Sequence, residues 1–341
     1  VVEKVKNKSI GNKLKELAAR AGLDGFLLSL LGLIMLAYFW PDLGKSDGPL
    51  PLEFISTYGV ALIFFFYGLR LSPEKLRAGL SNWHLHVLIQ VTTFILFPGL
   101  ILAAKALWPT QPAATIWLGA FYLAALPSTV SSSVVMVSIA AGNLPAAIFN
   151  ASISSLLGVF VTPLWMGWYL QASTGDFEFG PIFAKLTLQV ILPVALGIGL
   201  HRRFGYFAEN HRKKLRLFDQ TIILIIVFNS FCESFARQLF RDFSTTDILV
   251  LGFWLAFLFF LVMALVYLFG RALNLNRENQ ITALFCGSKK SLVHGTVMSK
   301  VLFPDAAMAG LVLLPIMIYH ALQLIFASIL AQRMAKVPSY E

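Results

Sequence analysis

Apolar runs of roughly 17 to 28 residues recur along almost the whole chain, separated by short polar stretches. Each run is long enough to cross about 30 Å of hydrocarbon as a helix rising 1.5 Å per residue. The pattern predicts ten spans, at 23–40, 54–69, 83–107, 114–141, 145–170, 181–200, 219–236, 247–270, 279–302 and 307–333. Pro41, Pro49, Pro51, Pro73, Pro109, Pro112 and Pro181 fall in the connections, where a missing amide donor costs little.

Composition agrees with this pattern. The 341 residues are 57% hydrophobic and 13% charged, with a mean hydropathy of +0.75, whereas soluble domains carry about 25% charged residues. A soluble enzyme is excluded and an all-α polytopic membrane protein is expected. The formal charge of +10 does not point to nucleic acid, because the basic residues stand between apolar segments. Cys232 and Cys286 both lie within apolar stretches, so no disulfide framework is indicated. The first apolar run follows a basic stretch and lacks a small-residue cleavage site, so no cleavable signal peptide is expected.

The basic residues orient the spans. On one side fall Lys4, Lys6, Lys8, Lys13, Lys15, Arg20, Arg70, Lys75 and Arg77, then Arg202, Arg203, Arg212, Lys213, Lys214, Arg216, Arg271, Arg277, Arg333 and Lys336. Opposite them stand Lys45, Lys105, Arg237 and Arg241, and Lys185, Lys289, Lys290 and Lys300 lie within spans or at their edges. Nineteen against four is a positive-inside bias that expects both termini in the cytoplasm and the protein in the plasma (inner) membrane. Residues 1–22 read as a basic cytoplasmic segment, either an amphipathic helix drawn to anionic lipid or a disordered tail.

The connections are too short for a soluble catalytic domain, and no G-x-x-x-x-G-K-[ST] phosphate loop occurs. Movement of a solute would then draw on an ion gradient or on the solute's own gradient. Neither paired carboxylates, a histidine cluster nor a metal-ligand set is apparent, so no enzyme, cofactor or metal is expected.

Two spans are interrupted. The fourth carries Pro127, Ser128, Thr129 and then Val130-Ser131-Ser132-Ser133 in its middle; the ninth carries Cys286-Gly287-Ser288-Lys289-Lys290-Ser291. Proline removes an amide and glycine loosens a helix, while hydroxyls re-satisfy the freed backbone where protein or water surrounds them. The breaks are five spans apart, so they lie in opposite senses across the membrane. This is the arrangement of two inverted five-helix repeats, 23–170 and 181–333. Ala125-Leu126 and Ser133 align with Ala283-Leu284 and Ser291 at one offset. Paired interrupted helices point to a secondary transporter with its substrate site near the midplane.

Two adjacent lysines in mid-membrane cost about 2.5–3.5 kcal/mol each even on the lenient insertion scale, so a functional use of Lys289 and Lys290 is expected. Glu233 in the seventh span and His294 in the ninth are candidates for a proton or charge relay. A helix that restarts after a break presents unpaired amides carrying roughly half a positive charge. Ser132, Ser133, Lys289, Lys290 and Ser291 therefore suit a substrate anion such as a carboxylate, sulfate or phosphate. One lysine is expected to face the cavity, the other to pair with a helix C-terminus or with Glu233.

At these breaks the chain resembles the bile acid:sodium symporter family (solute carrier family 10), in its divergent SBF-like branch. The resemblance is carried by Pro127 to Ser133 with Gly142-Asn143, by Ser152 to Pro163, and by Gly287 to Ser291. It implies a panel domain of helices 1, 2, 6 and 7, and a core domain of helices 3–5 and 8–10 whose fourth and ninth members cross. In sodium-coupled members a serine–asparagine pair stands at Ser132 and Ser133, and the motif Glu-Val-Gly-Met-Gln-Asn-Ser stands at Phe285 to Ser291. Alignment also puts Ala147, Ala151 and Thr93 where those members offer hydroxyls and a glutamine. The sodium ligands are therefore largely replaced, and a proton is favoured over sodium as coupling ion. The reading is a secondary active transporter of a small organic anion in the lipid bilayer. The alternative is a non-transporting membrane regulator or receptor on the same fold.

Overall fold

The computed structural model describes residues 25–45, 47–70, 82–108, 114–174, 184, 187–241, 244–303 and 305–335. The basic segment expected over 1–22 lies outside the described residues, as do Pro73, Lys75, Arg77, Pro109, Pro112, Pro181, Lys185 and Lys336. Among the described residues there are helices and no strand.

In chain order the α-helices are α1 (Gly25–Phe39), α2 (Leu52–Arg70), α3 (Trp83–Leu107), α4 (Ala114–Ala125) and α5 (Ser131–Ile139). They continue as α6 (Leu144–Thr174), α7 (Leu192–Asn210), α8 (Arg212–Ala236), α9 (Thr245–Ala272), α10 (Arg277–Gly287), α11 (Leu292–Leu302) and α12 (Ala306–Ala335). Six are long and apolar enough to cross a membrane, namely α2, α3, α6, α8, α9 and α12. The expected fourth and ninth spans are each two shorter helices, α4 with α5 and α10 with α11. The protein is an all-helical polytopic membrane protein.

Helices α7 and α8 extend well into the polar stretch that hydropathy assigns to a connection, meeting at His211. Hydropathy marks only the apolar part of a helix, whereas the backbone hydrogen-bond ladder continues into the polar interface. Side-chain caps start several helices. Ser244 and Asp247 form a capping box on α9, Asn276 accepts from Asn279 N at the start of α10, and Asn143 accepts from Ala146 N at the start of α6.

Helices α1, α2, α7 and α8 pack on one another, with α2 lying along α7. A Cβ at Gly68 or Gly197 would collide with the backbone of the facing helix, so these glycines permit the close approach. The remaining helices form a second group, with α12 touching α4, α5, α9 and α11 and α10 touching α3, α5, α6 and α9. Helix α8 joins the groups through α11 and α12. Large apolar side chains point outward, among them Leu249, Phe253, Phe257 and Leu268 along α9. Such a surface suits lipid.

Helix α3 contains a π-turn at Thr92–Leu96, just before Pro98. Phe97 N–H donates to the Thr92 carbonyl, five residues back. The next bond of that kind would run from residue 98 to Thr93, and proline has no N–H to make it. The Thr93 carbonyl is thereby left without its helical donor. Phe94, four residues before the proline, loses its ordinary donor too, and the Trp165 indole N–H donates to its carbonyl at 2.8 Å.

Candidate functional site

The helix breaks at 126–130 and 288–291 lie against each other. Ser291 N–H donates to the Pro127 carbonyl at 2.9 Å, and Ser128 Oγ donates to the Cys286 carbonyl at 2.6 Å. Ser133 Oγ donates to the Phe285 carbonyl at 3.1 Å. Ser128 N–H is taken by Ser154 Oγ at 2.9 Å. Pro127 itself sits against Gly158, where any Cβ would lie 2.6 Å from the proline Cγ.

Each break ends one helix, and a helix end leaves carbonyls without intrahelical donors. At α4, Ala124 and Leu126 accept from Lys290 Nζ at 2.6 and 2.8 Å, and Ala125 accepts from Thr162 Oγ1 at 2.8 Å. At α10, Leu284 keeps its bond from Ser288 N–H at 3.2 Å and gains one from Ser288 Oγ at 2.6 Å, and the Ser288 carbonyl accepts from the Tyr319 hydroxyl at 2.6 Å. Lys290 Nζ makes a third bond, to the orphaned Thr93 carbonyl at 2.7 Å, and lies 4.2 Å from the centre of the Phe97 ring.

The two lysines are both fully buried, and the structure divides their work. Lys290 is spent on three carbonyls. Lys289 Nζ donates to one acceptor, the Ser132 carbonyl at 3.0 Å. It lies where α5 begins, and the α11 cap, Ser291, follows two residues later. Ser132 is half-buried, beside Val130 at 38% exposure, so this corner of the crossing reaches the surface. Ser132 Oγ shares a hydrogen bond of 2.9 Å with Thr129 Oγ1, which also meets Ser133 Oγ at 2.7 Å.

Other expected site residues make bonds within the scaffold. Ser291 caps α11 through His294 N–H at 3.3 Å, and its hydroxyl meets His294 Nδ1 at 3.0 Å. The His294 ring packs edge-on against Phe64 and Tyr67 of α2. Gly287 and Ser288 end α10. Glu233 is not brought to the crossing. Near the C-terminal end of α8 it pairs with Arg237 at 2.8 Å, and Arg237 also holds Asp305 at 3.1 Å. Among the described residues, no carboxylate pairs with Lys289 or Lys290.

Sequence reasoning missed Gln323. Its amide accepts from Lys290 N–H and donates to the Lys290 carbonyl, each at 2.8 Å. It also missed Tyr319 and Thr162 as donors to broken-helix carbonyls. The available signal is an amide in the middle of a largely apolar span, which needs partners wherever it lies.

Residues 24–336 match the family described as the SBF-like CPA transporter family. An uncharacterized protein of Pseudomonas aeruginosa is 37% identical over 313 residues, covering 92% of this chain and 93% of that protein. YfeH of Escherichia coli is 35% identical over 313 residues, 91% of this chain and 92% of its own. A Xenopus laevis protein named sodium/bile acid cotransporter 7-B is 30% identical over 322 residues, 92% of each chain.

Proposed function

The chain belongs to the SBF-like CPA transporter family, and from that premise we propose that it is a secondary active transporter moving a small organic anion by alternating access. The observation that carries the proposal is Lys289: a fully buried amine with a single carbonyl acceptor, set where α5 begins and just before α11. A cation at a helix N-terminus meets partial positive charge, and a bound anion relieves that repulsion while accepting from the ammonium and from Ser132. Ser133, Lys290 and Ser291 shape the site from behind through their bonds to backbone and cap.

The ten spans are two inverted five-helix repeats, 23–170 and 181–333. Helices α1, α2, α7 and α8 form the panel and the rest form the core. The packing of those four helices on one another supports the division. The interruptions in α4–α5 and α10–α11 support the repeat. The basic-residue asymmetry supports cytoplasmic termini, and residence in the plasma (inner) membrane is part of the same proposal.

The name of the Xenopus relative speaks of sodium. In this chain we take the coupling ion to be a proton, because Phe285, Ala147 and Ala151 are buried carbon side chains that offer no oxygen. The test is uptake of labelled carboxylates, sulfate esters and phosphate esters into proteoliposomes under imposed proton or sodium gradients. Saturable uptake of an anion, lost in Lys289→Met, supports the proposal. Absence of any anion flux with correctly inserted protein overturns it.

A further inference from the structure

We propose that the Lys290 ammonium is a tethered cation filling a monovalent-cation site, and that the site accepts a free alkylammonium or potassium ion once the side chain is removed. The walls are the carbonyl oxygens of Thr93, Ala124 and Leu126, at 2.7, 2.6 and 2.8 Å from Nζ, and the face of Phe97. Three acceptors at these distances need three N–H bonds. A neutral amine has two, so the geometry matches the ammonium form.

Each oxygen is available for a reason written in the backbone. Ala124 and Leu126 end α4, where unpaired carbonyls carry partial negative charge. Thr93 faces the missing N–H of Pro98 at the π-turn. Outside the helices' own ladders, none of the three accepts from another donor among the described residues. The charge is thus balanced by carbonyl dipoles and a ring quadrupole rather than by a carboxylate. Converging carbonyl oxygens also replace the hydration shell of a potassium ion, which is close to ammonium in size. The site joins three elements at once, α3, α4 and the α10–α11 break, so the cation ties the crossing together.

The experiment uses the full chain with Lys290→Ala, purified in lipid and detergent with choline as the only background cation. Propylammonium matches the part of the side chain that the substitution removes. The melting temperature of the variant is expected to fall below wild type and to rise saturably with propylammonium, and more weakly with potassium. Choline, which has no N–H, does not raise it, and wild type does not respond. A variant as stable as wild type without added cation overturns the proposal, as does a lowered melting temperature that neither cation raises. If Lys290→Ala fails to fold, wild-type protein labelled with ¹⁵N-lysine carries the test. A slowly exchanging Nζ bearing three protons, absent in Lys290→Arg, is expected, and a neutral Nζ overturns it. Stability and protonation are the readouts, so their outcome is separate from whether an anion moves through the crossing.

Discussion

The Gln323 side-chain amide pairs with the backbone of Lys290 as a strand neighbour would, accepting from its N–H and donating to its carbonyl, both at 2.8 Å. A break in a membrane helix frees such groups where no water replaces the lost bonds. Gln323→Leu is expected to leave both unpaired, at about 1–3 kcal/mol each. Gln323→Glu keeps an acceptor for the Lys290 N–H but has a donor for its carbonyl only when protonated, so it should lie between leucine and wild type at low pH and lose stability as pH rises. Unfolding in nanodiscs orders the three proteins, and a leucine variant as stable as wild type would sink this account.

Much of this scaffold was readable beforehand. Pro127 and Gly287 mark the breaks, and the hydroxyls of Ser128 and Ser133 are donors that such breaks need. Which lysine would take which role was not readable, because the π-turn that orphans Thr93 shows only as Pro98 in an apolar run. Lys290 then reaches that carbonyl across almost two hundred positions of sequence. Glu233 was the converse case. Arg237 stands four residues on, the spacing of a helical ion pair, and that local pairing outweighs any distant one.

Lys289→Met and Lys290→Met should differ in kind. Lys289 makes one backbone bond, so its removal should abolish anion binding with little change in stability. Lys290 makes three, so its removal should lower stability. Anion binding by calorimetry alongside thermal unfolding separates the two. Equal behaviour of both variants in both measurements would remove the division of labour.

Gly158→Ala places a Cβ 2.6 Å from Pro127 Cγ, with the proline Cβ and Cδ at 2.7 and 2.9 Å. The rigid ring cannot swing aside, so the α4–α5 break must shift, at on the order of 1–3 kcal/mol for overpacking. Gly99→Ala is the control, since beyond its chain neighbours and its own helix backbone no atom lies within 4 Å of its Cβ position. Transport and melting temperature should fall in the first variant and not in the second.

Lys300 is nearly buried on α11, and its Nζ makes no hydrogen bond among the described residues. Its carboxylate partner, Glu53 of α2, is 3.5 Å away and itself 57% exposed. Taking a poorly bonded ammonium out of water costs more than a distant, wet partner returns. Lys300→Met should therefore be neutral or stabilising. Glu53→Gln, which leaves the buried charge without that partner, should destabilise. The reverse order in chemical denaturation would show that the pair holds α2 to α11.

Anion transport should continue unchanged when sodium is replaced by choline. A sodium site needs several oxygens converging on one point, and the crossing has committed its oxygens elsewhere. The Phe285 carbonyl is taken by Ser133, the Cys286 carbonyl by Ser128, and those of Thr93, Ala124 and Leu126 by Lys290. The Phe285 ring is fully buried, as are Ala147 and Ala151, so these side chains contribute only carbon. Restoring a carboxylate by Phe285→Glu adds one ligand but leaves the serines and Lys290 where they are. It also sets a charge among apolar neighbours, so the substitution should destabilise the protein without conferring sodium dependence. Sodium-specific thermal stabilisation of wild type, absent with equal potassium or choline and lost in Ser132→Ala, would contradict this. It would mean that the crossing rearranges to free oxygens that are paired in the present structure.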